Sequence, residues 1–236
     1  MIHIWHEDSM QSATTIFWNY LKYFKVSSKL ECAEITGFSG NKKLFDYVSK
    51  CEFNKNDVYI IFMDFVYDNL VVLELYDKLN NVISTKDNVF IMNLLSFEYL
   101  MLSFKYFESW VRPVCNLNKY NYLCKVRNAF LLCVANKGIL CKDAVLVEYM
   151  NRSFQSRDIS RITTEQLATH LLSDFTGSLK GDFIITKKHL GSCWTCNCCD
   201  KYTKDLVKKC SHAVNKKTDK EKALNLYHNT LAHTYV

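Results

Sequence analysis

Four acidic residues, Glu7, Asp8, Asp64 and Asp68, stand at the ends of two short apolar runs, IHIWHEDS (2–9) and VYIIFMDFVYDN (58–69). Carboxylates in this number suit a magnesium or manganese ion, which takes one or two of them and leaves its other positions to water and substrate phosphate. Glu98, in SFEYL (96–100), extends the set. Taken singly, Asp8, Asp68 and Glu98 also read as helix N-terminal residues, because an acid there is favoured by the macrodipole. The conjunction of one acid at the first run's end with an Asp-x-x-x-Asp pair at the other's points instead to a shared cation pocket. A second constellation lies in GSCWTCNCCDKY (191–202) and KKCSH (208–212). Zinc takes four soft ligands in a tetrahedron, and a C-x-x-C turn supplies two of them. Cys193, Cys196, Cys210 and His212 form the first ligand set, with Cys199 close behind. Which four of the six Cys and His residues bind stays open, and an iron–sulfur cluster is the minor alternative. No open position or neighbouring base is evident, so the expected site is a closed staple.

Elements that could position the acids follow from periodicity. An apolar run of four to eight residues bounded by polar ones is the pattern of a strand buried on both faces, as in parallel sheets. IHIWH, ECAEITGF (31–38), VYIIFMD and NVFIMNL (88–94) read as four such strands. Between them lie helical patterns: 13–24, with Ile16, Phe17, Tyr20, Leu21 and Phe24 on one stripe and Ser9 or Ser12 as cap; 43–50; and 70 onward, capped at Asp68-Asn69. Ser96 caps a further helix expected to run to Trp110. Strand–helix alternation predicts an α/β fold with a doubly wound, mainly parallel sheet. In such sheets ligands bind outside the carboxyl ends of the strands. Strands one and three are often neighbours there, which would set Glu7 beside Asp64. The division expected is an α/β domain over 1–112, a helical extension over 113–180 (helices 117–135, 143–155 and 164–175, the last with a Thr163/Gln166 capping box), and a basic, cysteine-rich, zinc-stapled region over 181–236 with one added strand at 181–190.

On these residues the first 110 positions resemble the Toprim fold, shared by topoisomerases, bacterial primases and the OLD-type and related defence nucleases: a strand ending in Glu7, a helix, a glycine-containing turn, then a strand closed by paired aspartates. SFEYL is similar to the Ser-Ile-Glu-Asn-Tyr-Leu element of stand-alone Toprim-like proteins of bacterial defence and mobile elements. The resemblance implies metal-dependent phosphodiester hydrolysis, with Glu7 as general acid or base and Asp64 and Asp68 as ligands of one or two magnesium ions. It also implies a defence setting and a partner ATPase. The family's pair is usually Asp-x-Asp, whereas MDFVYDN spaces its acids by four, which leaves open a single metal, a rearranged site or a lost activity. Nothing in the remainder supplies the extra domains that strand passage or primer synthesis needs. The rival expectation is a regulator that binds nucleic acid or protein without catalysis.

Composition bounds these readings. With 236 residues, 49% of them apolar, the chain can bury a sizeable core, and one proline and six glycines leave little room for linkers. No stretch has signal-peptide character and no run reaches ~18 apolar residues, so the expectation is a cytoplasmic protein without a membrane span, its oligomeric state left open. Eleven cysteines, an odd number, fit reduced thiols better than a disulfide framework. Cys32, Cys51, Cys115, Cys124, Cys133 and Cys141 read as small hydrophobes. The net charge of +6 belongs wholly to residues 180–236, with 11 Lys against 5 acidic residues. Lys187, Lys188, Lys201, Lys204, Lys208 and Lys209, interleaved with Trp194 and Tyr202, suit a nucleic-acid backbone, DNA or RNA. Lys42 and Lys43, after the second strand, are candidates to neutralise a phosphate.

Overall fold

The computed structural model describes residues 1–10, 12–92, 94–108, 117–155, 157–176, 216–230 and 232–235. Four strands, β1 (Ile2–His6), β2 (Glu34–Gly37), β3 (Val58–Phe62) and β4 (Val89–Met92), form one sheet in the order β2-β1-β3-β4. Every pairing is parallel, with His6 opposite Phe62 and Phe62 opposite Met92. Alternate side chains serve opposite faces: Ile4, Ile60, Phe62 and Met92 enter one core cluster, and Trp5, Tyr59, Ile61, Val89 and Ile91 the other. Burial on both sides explains why the strands read as unbroken apolar runs.

Crossover helices cover both faces, as the strand–helix alternation predicts. α1 (Ala13–Tyr23), joined to β2 by the short α2 (Ser28–Glu31), packs Phe17, Trp18 and Leu21 into the larger cluster. α3 (Asn41–Val48) and α4 (Leu70–Ile83) cover the opposite face through Leu44, Val48, Leu79 and Ile83. Polar caps set the helix starts. Ser12 accepts from the Thr15 N–H at 3.4 Å and Asn69 from Val72 at 3.4 Å. At the head of α5 (Phe97–Leu102), Ser96 accepts from Tyr99 at 3.1 Å.

Beyond these lie α6 (Leu117–Ala135), α7 (Ala144–Ser153), α8 (Thr164–Thr176) and α9 (Lys216–Asn229). Phe130, Leu146, Leu167 and Leu171 join the cluster that receives Phe17 and Leu100, and α9 adds Ala223, Leu226 and Tyr227 to it. The helical extension thus shares one core with the sheet. Thr163 and Gln166 make the reciprocal capping box at the head of α8, at 3.2 and 3.3 Å. Among the described residues no helix is long and apolar enough to cross a membrane.

The boundaries that differ most from the sequence pattern are the start of β2 and the end of α5. Strand β2 starts only at Glu34, since Glu31 ends a helical turn. Helix α5 stops at Leu102 instead of continuing to Trp110. Its end is held by Arg127 of α6, buried to 7% exposure, whose guanidinium donates to the carbonyls of Leu102 and Phe104 and to Glu108. Those carbonyls gain a charged donor in place of the next turn of helix. The expected strand at 181–190 and the whole cysteine cluster, Cys193, Cys196, Cys199, Cys210 and His212, lie outside the described residues.

Candidate active site at the carboxyl edge of the sheet

Strands β1 and β3 are neighbours, so the residues that follow them leave the sheet side by side. The chain passes from β1 outward to β2 and returns across β1 to β3, which puts the topological switch point between β1 and β3. Ligands of doubly wound sheets bind outside the strand ends at such a point, and Glu7 and Asp64 follow the two strands that bound it. The Glu7 N–H extends the ladder by donating to the Phe62 carbonyl at 3.3 Å. In return the Asp64 N–H lies 3.5 Å from Glu7 Oε2, a long contact that holds the Glu7 carboxylate over the start of the β3 exit loop. Asp64 is 5% exposed and Glu7 half-buried.

The exit loop of β2 closes in from the other side. Phe38, Ser39 and Gly40 donate their N–H groups to the carbonyls of His6, Asp8 and Glu7 in turn. Gly40 has φ of 132°, a conformation that side-chain-bearing residues rarely adopt. Gly37 is required for a different reason: a Cβ there would sit 2.5 Å from the Asp8 carbonyl oxygen and 2.8 Å from Met10 N. This close approach brings the first turn of α3, with the exposed Lys42 and Lys43, alongside the Glu7 main chain.

The remaining acids have other attachments. Asp8 accepts from the buried Thr14 hydroxyl at 2.6 Å, which turns it toward α1. Asp68 is exposed and spends both carboxylate oxygens on α8: Oδ2 accepts from the Thr164 N–H at 2.8 Å and Oδ1 from the Thr164 hydroxyl at 2.9 Å. Glu98 is buried in the first turn of α5, at 1% exposure. The structure therefore sets the Glu7 carboxylate against the Asp64 main chain and holds Asp68 on a helix N-terminus. Among the described residues no group of three or more His, Cys, Asp and Glu side chains gathers around one point. The chemistry of the pair still fits magnesium or manganese, for which two carboxylates with water and phosphate oxygens are a usual set.

One residue that the sequence pattern does not single out stands next to this pair. His6, the last residue of β1, is wholly buried and its Nε2 pairs with the Thr15 hydroxyl at 2.9 Å. Burial pushes its pKa down to about 4, against a smaller upward pull from the Asp8 charge. The imidazole is therefore neutral at pH 7, locking the end of β1 to α1. Its only signal in the sequence is a histidine inside an apolar run, directly before Glu7.

Compared with known proteins, the chain matches no family model, no curated protein and no solved structure.

Proposed function

We propose that this protein is a divalent-metal-dependent, Toprim-like nuclease that hydrolyses phosphodiester bonds in DNA or RNA. The observation that carries the reading is the placement of Glu7 and Asp64 at the carboxyl ends of adjacent parallel strands, across the switch point and within one hydrogen-bond contact of each other. These two carboxylates would hold a magnesium or manganese ion, which would neutralise charge at the phosphoryl oxygens and make an attacking water more acidic. Asp64, buried two residues beyond the end of β3, would be the more fixed of the two ligands. Glu7, whose Oε2 lies against the Asp64 N–H, is the residue assigned to take the proton of the attacking water. Lys42 and Lys43 offer positive charge at the same edge to the scissile phosphate's neighbours. The two-carboxylate set favours a single-metal site over the two-metal arrangement that the family's paired aspartates imply. Service as a defence or mobile-element effector beside a partner ATPase belongs to the same proposal and rests on the family resemblance alone, whereas structural zinc in the C-terminal region rests on the cysteine and histidine spacing and a cytoplasmic location on the sequence pattern.

A second reading, a regulator that binds nucleic acid or protein without cutting it, is favoured by Asp68, whose oxygens are committed to Thr164. Plasmid and RNA cleavage in Mg²⁺ or Mn²⁺ separates the two. Under the nuclease reading Glu7→Gln and Asp64→Asn each lose at least ~100-fold in rate, in keeping with loss of a proton-transfer group or a metal ligand, while Asp68→Asn cuts at close to the wild-type rate. Intact nucleic-acid binding with no cleavage in either metal assigns the regulator instead.

A further inference from the structure

The loop that leaves β3 and carries Asp64 forms, a few residues later, one wall of a cleft of about 380 Å³. Tyr67 and Asp68 face segments 137–141 and 159–163 across it. The volume lies within the range of small-ligand sites, ~300–1,000 Å³. Its floor is apolar: Leu140 and Ile162 are buried and Ile159 packs against the main core. The Tyr67 ring is held in place by its hydroxyl, which donates to the Gly138 carbonyl at 3.3 Å, and burial pushes its pKa up to about 12, so the ring stays neutral.

At the rim the acids are taken up by hydrogen bonds within the chain, whereas the cations are largely open to a ligand. The three acids around the cleft are each engaged within the chain: Asp68 with Thr164, Asp143 with the N–H groups of Val145 and Leu146, and Asp158 with Ser160 at 2.7 Å. The cations are not matched in the same way. Lys137 is exposed, and among the described residues no acid lies within ion-pair distance of its ammonium; Arg161 is 86% exposed and has one loose contact, to Asp158 at 3.6 Å. Two exposed cations over an apolar floor with a fixed aromatic wall suit a group that is flat and apolar at one end and anionic at the other. Tyr67 lies only three residues beyond Asp64, so at most ~10 Å of extended chain separates cleft and acid pair.

We propose that this cleft binds one nucleotide unit, its base against Tyr67 and the apolar floor and its phosphate between Lys137 and Arg161. Resting on the nuclease reading, the unit is a nucleotide of the substrate strand that flanks the bond cut at Glu7 and Asp64. A free mononucleotide has the same chemistry and is the other source of such a ligand.

The test uses full-length protein in EDTA, with fluorescein-labelled single-stranded oligonucleotides of dT and rU followed by anisotropy, UMP as competitor, and 4-thiouridine RNA for crosslinking. Expected for Lys137→Glu/Arg161→Glu are a loss of ~10-fold or more in affinity and a drop of at least ~0.7 in the slope of log K against log salt, the value for one phosphate of a single strand no longer neutralised. Tyr67→Leu weakens binding and Tyr67→Phe does not, since the ring and not the hydroxyl makes the contact. Crosslinks map to 65–69 or 137–141. An oligonucleotide that outcompetes UMP by orders of magnitude identifies the strand as the ligand, and equal affinities identify the free nucleotide. Unchanged affinity and salt slope in the double variant, or crosslinks confined to 177–215, overturn the cleft whether or not the wild type cuts. Cleft-dependent binding in a wild type that cuts neither DNA nor RNA with Mg²⁺ or Mn²⁺ removes the nuclease reading and leaves the cleft standing.

Discussion

His6 is the residue most sensitive to its surroundings, because it combines full burial with a titratable ring beside the acid pair. Its folded pKa of about 4 lies below the unfolded value of 6.5, so the unfolded chain takes up its proton first as pH falls. Stability from this group is complete above pH ~6.5 and declines from there to pH ~4. Below that it is lower by about 3 kcal/mol, because each pH interval of one between the two values is worth about 1.4 kcal/mol. Urea denaturation at a series of pH values should show this decline in the wild type and a flatter profile in His6→Gln, whose amide still reaches Thr15. An equal slope in both proteins would remove His6 as the cause. Asp68 answers to a different readout. Its two bonds to Thr164 cap α8, and Asp68→Ala should cost about 1–2 kcal/mol in the same denaturation experiment, the usual range for a lost N-cap. A loss of that size alongside unchanged cleavage would mark Asp68 as a structural residue.

At the scale of elements, the site depends on how closely the loops leaving β1 and β2 approach. Gly37→Ala would push a methyl against the Asp8 carbonyl and the Met10 N–H, both main-chain groups with no rotamer to give way. The expected cost is about 1–3 kcal/mol, as for overpacking elsewhere, together with a fall in cleavage larger than the fraction unfolded explains, because the β1 exit that carries Glu7 must shift. Cleavage that follows the folded fraction alone would show that the loop moves without Glu7. Arg127 governs another boundary. Arg127→Met removes the donor to the Leu102 and Phe104 carbonyls, and a midpoint shift worth about 2–3 kcal/mol is expected from the loss of hydrogen bonds made by a buried charge. The same two positions show what the sequence could convey. Strands such as VYIIF are visible because burial on both faces makes every position apolar, and helix starts are visible because Ser12, Asn69, Ser96 and Thr163 are local caps. The end of α5 was hidden because its cause, Arg127, lies 25 residues from Leu102. Asp68 was hidden for the same reason, with a partner 96 residues away.

Across the whole molecule, residues far apart in sequence build one core: α8 lies against α5, and α9 adds Leu226 and Tyr227 to the cluster that holds Phe17 and Phe130. At the β4 edge Tyr235 stacks on Phe90 with centroids 4.9 Å apart. Residues of 216–235 thus share their core with residues of 1–176. The proposed zinc at Cys193, Cys196, Cys210 and His212, with Cys199 as alternate, is expected to tie together its own segment and to be separable from the fold of the sheet. Elemental analysis is expected to find one zinc per chain, and Cys193→Ser/Cys196→Ser to lose it. Because structural zinc contributes folding energy only to the element it ties together, chelation should leave the denaturation midpoint of the main transition in place while weakening whatever binding the lysines of 187–209 provide. A main transition that collapses on chelation would instead make the zinc region a pillar of the core, and would join the positive C-terminal quarter to the acid pair as one cooperative unit.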